Sequence, residues 1–325
     1  MTKLILHVGM PKTGSSYIQG VLNKNHKVIE ENGNIRILGG IKPHLLACYL
    51  IDDSRLVTRT DINELKNQYT NDIEELLKTQ SANAETVVIS SEYFILCGIN
   101  KLKEYFKGIF ESIEVVISVR RQDKLIASGF NQDVKALGRT SNLTWDKASS
   151  QHMDYWEYCE KWSVENIPVK VIDYDYVKKE KEGLLISFLN ILDIDYKTIQ
   201  DKLVSPDSNA SNYSLSHSEV LLKLAMNRNG MEKQTELLEE FRTGLKKSTE
   251  FKLPVAYEKV IAANYKQSNQ KFITKYLQNN INSELNFHDV SPVNTTNSFS
   301  WNPLNGVEDV LEFILKKNKS WKPNE

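Results

Sequence analysis

Cysteine is scarce in this sequence. There are three, Cys48, Cys97 and Cys159, far apart and without metal-type spacing. That excludes a disulfide framework and fits a reducing compartment, so a cytoplasmic location is expected. Long hydrophobic runs are missing too. No stretch approaches the ~20 apolar residues that a membrane-spanning helix needs, and the apolar segment near Met1 is too short for a signal peptide. An excess of one charge is also absent. Lys plus Arg number 41 against 42 for Asp plus Glu, so no global field points to nucleic acid or an anionic membrane. Any anion site must be built locally.

What the chain does have is enough apolar material for a core, at 40% hydrophobic residues in 325, which argues against wholesale disorder. Four short runs, Leu4–Val8, Thr86–Ser90, Val115–Val119 and Val169–Asp173, are nearly continuous in apolar and β-branched residues. Such runs fit parallel strands covered on both faces. Amphipathic stretches lie between them: Tyr17 to Glu31, Asn63 to Lys78, Lys124 to Leu137 and Leu184 to Leu192. The alternation predicts an α/β fold with an open, mostly parallel sheet flanked by helices. After about Ser205 the pattern turns helical. Ser216-His217-Ser218-Glu219 reads as a capping box, and helical stretches follow at Lys233–Leu245, Tyr257–Tyr276 and Val307–Lys316. The segment from Asn279 to Asn305, rich in Asn, Ser and Thr, reads as loop. One domain is expected, with an α/β core over 1–205 and a mainly helical part over 206–325 packed on it.

The most informative stretch is LILHVGMPKTGSSYIQGVL, residues 4–22. A strand enters Gly9-Met10-Pro11-Lys12-Thr13-Gly14-Ser15-Ser16, and a helix leaves it. Glycines let the backbone close on an anion, and the free N–H groups at a helix start hold its oxygens. This is the frame of a phosphate-binding loop in its required context. Position 15, where a nucleoside-triphosphatase loop would carry lysine, is Ser15; the lysine is Lys12. The plainer reading is a Gly-Pro turn with a solvated lysine.

PKTGSS after a strand resembles the phosphosulfate loop of sulfotransferases that use 3′-phosphoadenosine 5′-phosphosulfate (PAPS). The resemblance implies that Lys12 stabilises charge on the bridging oxygen, and that Thr13, Gly14, Ser15 and Ser16 hold the phosphosulfate. The family reads the 3′-phosphate with an arginine at a strand end and a serine eight residues on. VVISVRRQDKLIASGFNQ supplies Arg120 and Ser128 at that spacing. Guanidinium and hydroxyl suit a phosphate dianion. Neighbouring Arg121 reads as a surface charge. RRQDKLIASGFNQ and SNYSLSHSEVLLKLAMN are similar to bacterial, carbohydrate-type members, which implies a glycan or glycolipid acceptor. The R-K-G-x-x-G-D-W-K-N signature of the cytosolic small-molecule enzymes is missing, so other residues must complete the 3′-phosphate site. Asn209, Ser211 and Asn212 are weak candidates.

Sulfuryl transfer to a hydroxyl, or to an amine, needs a base. Glu92 follows the strand Thr86–Ser90, at a carboxyl end where functional groups gather in parallel sheets, and the resemblance gives that topological place to a base. It also reads as a helix-start carboxylate. His44, in GGIKPHLLACYL, is the rival, since imidazole titrates near neutrality; the two also suit a joint role, one as base and one as acceptor anchor. His7, on the first strand, reads as core or as support for the site. Tyr155, Trp156, Tyr158 and Trp162, at helical spacing, read as core rather than a sugar platform. No metal is expected. Two other classes remain open: a phosphoryl-transferring kinase, for which Asp173 and Asp175 are the only near fit to a magnesium ligand, and a nucleotide-binding module without catalysis.

Overall fold

A computed structural model describes residues 2–38, 43–51, 73–143, 153–205, 213–244, 249–278, 280, 282–288, 290 and 310. Asn209, Ser211 and Asn212, all but one residue of the expected helix over 307–316, most of the loop over 279–305 and the first part of the helix over 63–78 lie outside them.

The strands are β1 (Lys3–Gly9), β2 (Ile35–Ile37), β3 (Thr86–Ser90), β4 (Ser112–Val119) and β5 (Val169–Asp173). They form one open sheet in the order β2-β3-β1-β4-β5, and every pairing is parallel. The chain is α/β, as the alternation predicts. In chain order the helices are α1 (Ser15–Lys24), α2 (His26–Gly33), α3 (Pro43–Leu50), α4 (Ile73–Ser81), α5 (Ile99–Lys107), α6 (Gln122–Ala136), α7 (Tyr155–Val164), α8 (Tyr174–Val177), α9 (Gly183–Ile191), α10 (Tyr196–Ile199), α11 (His217–Arg228), α12 (Thr235–Gly244) and α13 (Val255–Tyr276). Among the described residues, no helix is long and apolar enough to cross a membrane.

The apolar runs are explained by burial on both faces. Leu4, Leu6 and Val8 of β1, with Val115, Ile117 and Val119 of β4, join one core with Phe94, Phe106, Tyr155, Trp162 and Phe272. Ile5 and Val116 point the other way, into a core with Ile18, Val21, Leu22, Phe188 and Leu189. The aromatic residues of α7 are core, with Tyr155, Tyr158 and Trp162 buried.

Two elements depart from the sequence reading. The single helix expected over 17–31 is broken at Asn25, which sits at φ −112°, ψ 15°. Its Nδ2 donates to the Val21 and Val204 carbonyls, and its Oδ1 accepts from Val204 N–H. A side chain that satisfies backbone groups in this way competes with helix continuation. Strand β2 was not expected; it is three residues long and, among the described residues, pairs with β3 alone.

The chain divides into two compact units that interleave in sequence. The first holds 1–121, 151–207 and 265–288, and therefore the whole sheet; the second holds 122–150, 208–264 and 289–325. A cut at 205 does not coincide with that division. In the second unit the capping box is present: Ser216 Oγ accepts from Glu219 N–H, and a Glu219 oxygen accepts from Ser216 N–H at 2.7 Å. The other Glu219 oxygen takes Arg242 Nε at 2.6 Å, tying α12 to the start of α11. Asn131 of α6 exchanges hydrogen bonds with both backbone groups of Leu215. Ser216→Ala should cost about 1 kcal/mol in denaturant unfolding.

Candidate functional site

The parallel register brings the carboxyl ends of the central strands to one rim. His7 pairs with Ser90, Gly9 with Ser118, and Val119 with Asp173. Strand β1 lies between β3 and β4, so the chain crosses sides there. Ligand sites in open α/β sheets form at such switch points. The loop from Met10 to Gly14 leaves the middle of this rim.

The loop is held from inside. Thr13 Oγ1 donates to the Met10 carbonyl at 2.6 Å, and Ser15 Oγ lies 3.5 Å from the same oxygen. Both side chains are buried. Their hydroxyls therefore shape the turn, and the groups they leave for an anion are backbone N–H groups. A Cβ on Gly9 would stand 2.1 Å from Ser15 Oγ, so a side chain there would push that hydroxyl out of its place in the turn. Gly14, at φ +81°, is the N-cap of α1 without a side-chain cap, and a Cβ there would stand 2.4 Å from Leu184. Lys12 also has a positive φ, +67°. For a side-chain-bearing residue this is strained backbone, of the kind that clusters at functional sites. Ser16 is exposed at the start of α1.

Arg120, which follows β4, reaches this loop. Its Nη1 donates to the Lys12 carbonyl at 3.1 Å. Its Nε is 3.6 Å from Asp175 Oδ1, and its guanidinium lies 5.4 Å from the Tyr174 ring centre. Tyr155 Oη donates to the Arg120 carbonyl at 2.6 Å. The Asp175 carboxylate is fully buried; it accepts from Arg121 N–H at 2.9 Å and pairs with Lys178 at 2.7 Å. Two cations thus share one carboxylate beside the loop that carries Lys12.

Arg121 corrects the sequence reading. It is buried, 3.6 Å from Glu284, with its guanidinium 5.1 Å from the Phe287 ring centre. Asp173 is engaged as well: Ser283 Oγ donates to it at 2.6 Å, and it caps α8. Burial, with Asp175 and Glu284 nearby, raises its pKa.

On the β3 side both candidate bases adjoin Ser91, His44 through its side chain and Glu92 along the chain. Ser91, fully buried, donates its N–H to the His7 carbonyl and caps the 3₁₀ turn Glu92–Leu96. Its Oγ is 2.8 Å from His44 Nδ1, and the His44 ring meets Tyr93 edge-on. Glu92 is the next residue, partly buried, and among the described residues nothing pairs with its carboxylate. If His44 Nδ1 carries the proton and gives it to Ser91, Nε2 is left as an acceptor.

His7 is fully buried between the two sides. Its Nδ1 is 2.8 Å from Ser90 Oγ and its Nε2 is 3.3 Å from Ser118 Oγ. Burial lowers its pKa from 6.5 to about 4. Between those values the unfolded chain takes up a proton that the fold refuses, so acid favours unfolding. Stability should fall by up to about 3 kcal/mol on going from pH 7 to pH 4. Denaturant titrations at several pH values test this, and His7→Gln should remove that part of the slope.

No family model, no curated protein and no solved structure matches the chain. The chemistry must be argued from the residues. Lys12, Thr13 and Gly14 belong to the loop and Ser15 and Ser16 to the start of α1; Arg120 touches the loop; His44 bonds to Ser91, the residue before Glu92, at the neighbouring strand end. Ser128 lies on α6 in the second unit, partly buried. Sequence reasoning missed Ser91, Tyr174 and Lys178, and weighed Asp175 only as a metal ligand. Tyr174 and Asp175 directly follow β5 and Ser91 directly follows β3, so their places at strand ends were a local signal.

Proposed function

We propose that this chain transfers a sulfuryl group from PAPS to a hydroxyl or amine acceptor, with a glycan or glycolipid as the expected acceptor class. The loop backbone from Lys12 to Ser16 holds the phosphosulfate. Arg120 serves the 3′-phosphate. The acceptor oxygen attacks sulfur in line as the bond from sulfur to the bridging oxygen breaks. Lys12 meets the charge that grows on that oxygen, and Glu92 or His44 takes the acceptor proton. Adenosine 3′,5′-bisphosphate leaves. The chemistry asks for no divalent metal, because a lysine stands where the charge develops. We assign the activity to the cytoplasm, on the scarcity of cysteine in the sequence.

One observation carries most of the reading: the guanidinium of Arg120 donates to the carbonyl of Lys12. The two residues that the resemblance gives to opposite ends of one nucleotide, anionic at each end, belong to a single rim. The kinase reading is less well supported. Asp175 is bonded to Arg121 N–H and ion-paired with Lys178, and Asp173 is bonded to Ser283 and Tyr176 N–H. Calorimetry with adenosine 3′,5′-bisphosphate, with and without EDTA, tests the donor site. A radiolabelled-sulfate screen over glycans, glycolipids and amines tests transfer. Tight binding of ATP with magnesium and none of the bisphosphate would favour the kinase; bisphosphate binding without transfer to any acceptor would favour a non-catalytic module.

A further inference from the structure

Beneath the loop, three polar side chains from adjacent strands form one line: Ser90 of β3, His7 of β1 and Ser118 of β4. All three are buried, His7 completely. Their neighbours on this side of the sheet are apolar: Ile5, Val88, Val116 and Phe188. An aliphatic residue at position 7 would suit that surrounding and would avoid the desolvation of an imidazole. A neutral imidazole has one donor and one acceptor nitrogen, so it can serve one serine with each. Without it, two buried hydroxyls lose a partner. Gln19 Nε2 lies 3.4 Å from Ser90 Oγ and adds a donor at one end.

Each end of the line leads to the site. Ser90 precedes Ser91 and Glu92, and Ser91 N–H donates to the carbonyl of His7 itself. Ser118 stands two residues before Arg120. In the middle, a Cβ on Gly9 would stand 3.5 Å from His7 Cε1, so the ring backs the start of the loop. We infer that His7 is a positioning residue, a polar cross-brace that sets the ends of β3 and β4 and the start of the loop at fixed spacing. It thereby holds Arg120 against Lys12 and the Ser91–Glu92 segment in place at the end of β3. The consequence for ligand binding rests on the proposed function; the brace itself does not.

Two arms test it. In the first, Ser90→Ala, Ser118→Ala and the pair are made with His7 and with His7→Leu, and the denaturant midpoints are compared. With His7 the pair should shift the midpoint by less than the sum of the singles, because the ring couples them; with leucine the shifts should add. Amide exchange at Ser91 and Arg121 should quicken in His7→Leu. Additive shifts in both backgrounds, or unchanged exchange, would overturn the brace. In the second arm, His7→Leu should weaken adenosine 3′,5′-bisphosphate about 10- to 100-fold at a temperature where it stays folded, the scale of a small misplacement of binding groups. His7→Gln, which keeps a donor and an acceptor, should recover most of the affinity. A merely structural histidine would leave the affinity of the folded protein unchanged, and that result would refute positioning. If His7→Leu does not fold, Ser118→Ala carries the same comparison. Failure of the unmodified protein to bind the bisphosphate would sink the proposed function, while the first arm would still decide the brace.

Discussion

Lys12→Ala is expected to lower turnover by ~10²–10³, the scale for losing one preorganised group that stabilises developing charge. The backbone at this position complicates a simple reading, because φ is +67°. Alanine keeps the strain of a left-handed residue, whereas glycine relieves it, by roughly 1–2 kcal/mol. The two variants therefore separate charge from conformation. Lys12→Gly should be more stable than Lys12→Ala in denaturant unfolding and equally poor in single-turnover transfer. If glycine restored transfer, the lysine would matter for its backbone and the charge role would fall. Full transfer by the alanine variant would end that role at once.

Arg120→Ala should weaken binding of adenosine 3′,5′-bisphosphate by about 10²-fold, from the loss of a charge-assisted hydrogen bond worth ~1.5–3 kcal/mol. The substitution also removes the donor to the Lys12 carbonyl and one cation beside the fully buried Asp175. The Asp175 carboxylate keeps Arg121 N–H and Lys178, so the fold should survive. Arg120→Lys keeps the charge but loses the fork that spans the carbonyl, the carboxylate and a phosphate together, so it should recover only a small part of the affinity. Calorimetry on the three proteins measures this. Equal affinities in all three would remove Arg120 from the donor site.

The sheet was legible where burial on both faces imposes an unbroken apolar run, as in β1 and β4. It was not legible at β2, where Ile35 and Ile37 flank an exposed Arg36 and three residues carry no usable period. The break at Asn25 was hidden because its cause is tertiary: the side chain is held by Val204, far along the sequence. Arg121 misled for the same reason. Next to Arg120 it looks like surface charge, and its partners Glu284 and Phe287 come much later in the chain. The candidate site divides along the same line. The loop from Gly9 to Ser16 announces itself because its turn, its glycines and its helix start are contiguous. The pairing of His44 with Ser91 spans 47 positions and has no local signature. The fold ties His44 to Ser91, the residue before Glu92, a link the sequence does not display.

The account stands or falls on one titration: adenosine 3′,5′-bisphosphate into the purified protein, in buffer containing EDTA. Saturable one-to-one binding that Arg120→Ala weakens and that added magnesium leaves unchanged is the predicted result. Heat of binding from ATP with magnesium alone, and none from the bisphosphate, would contradict it.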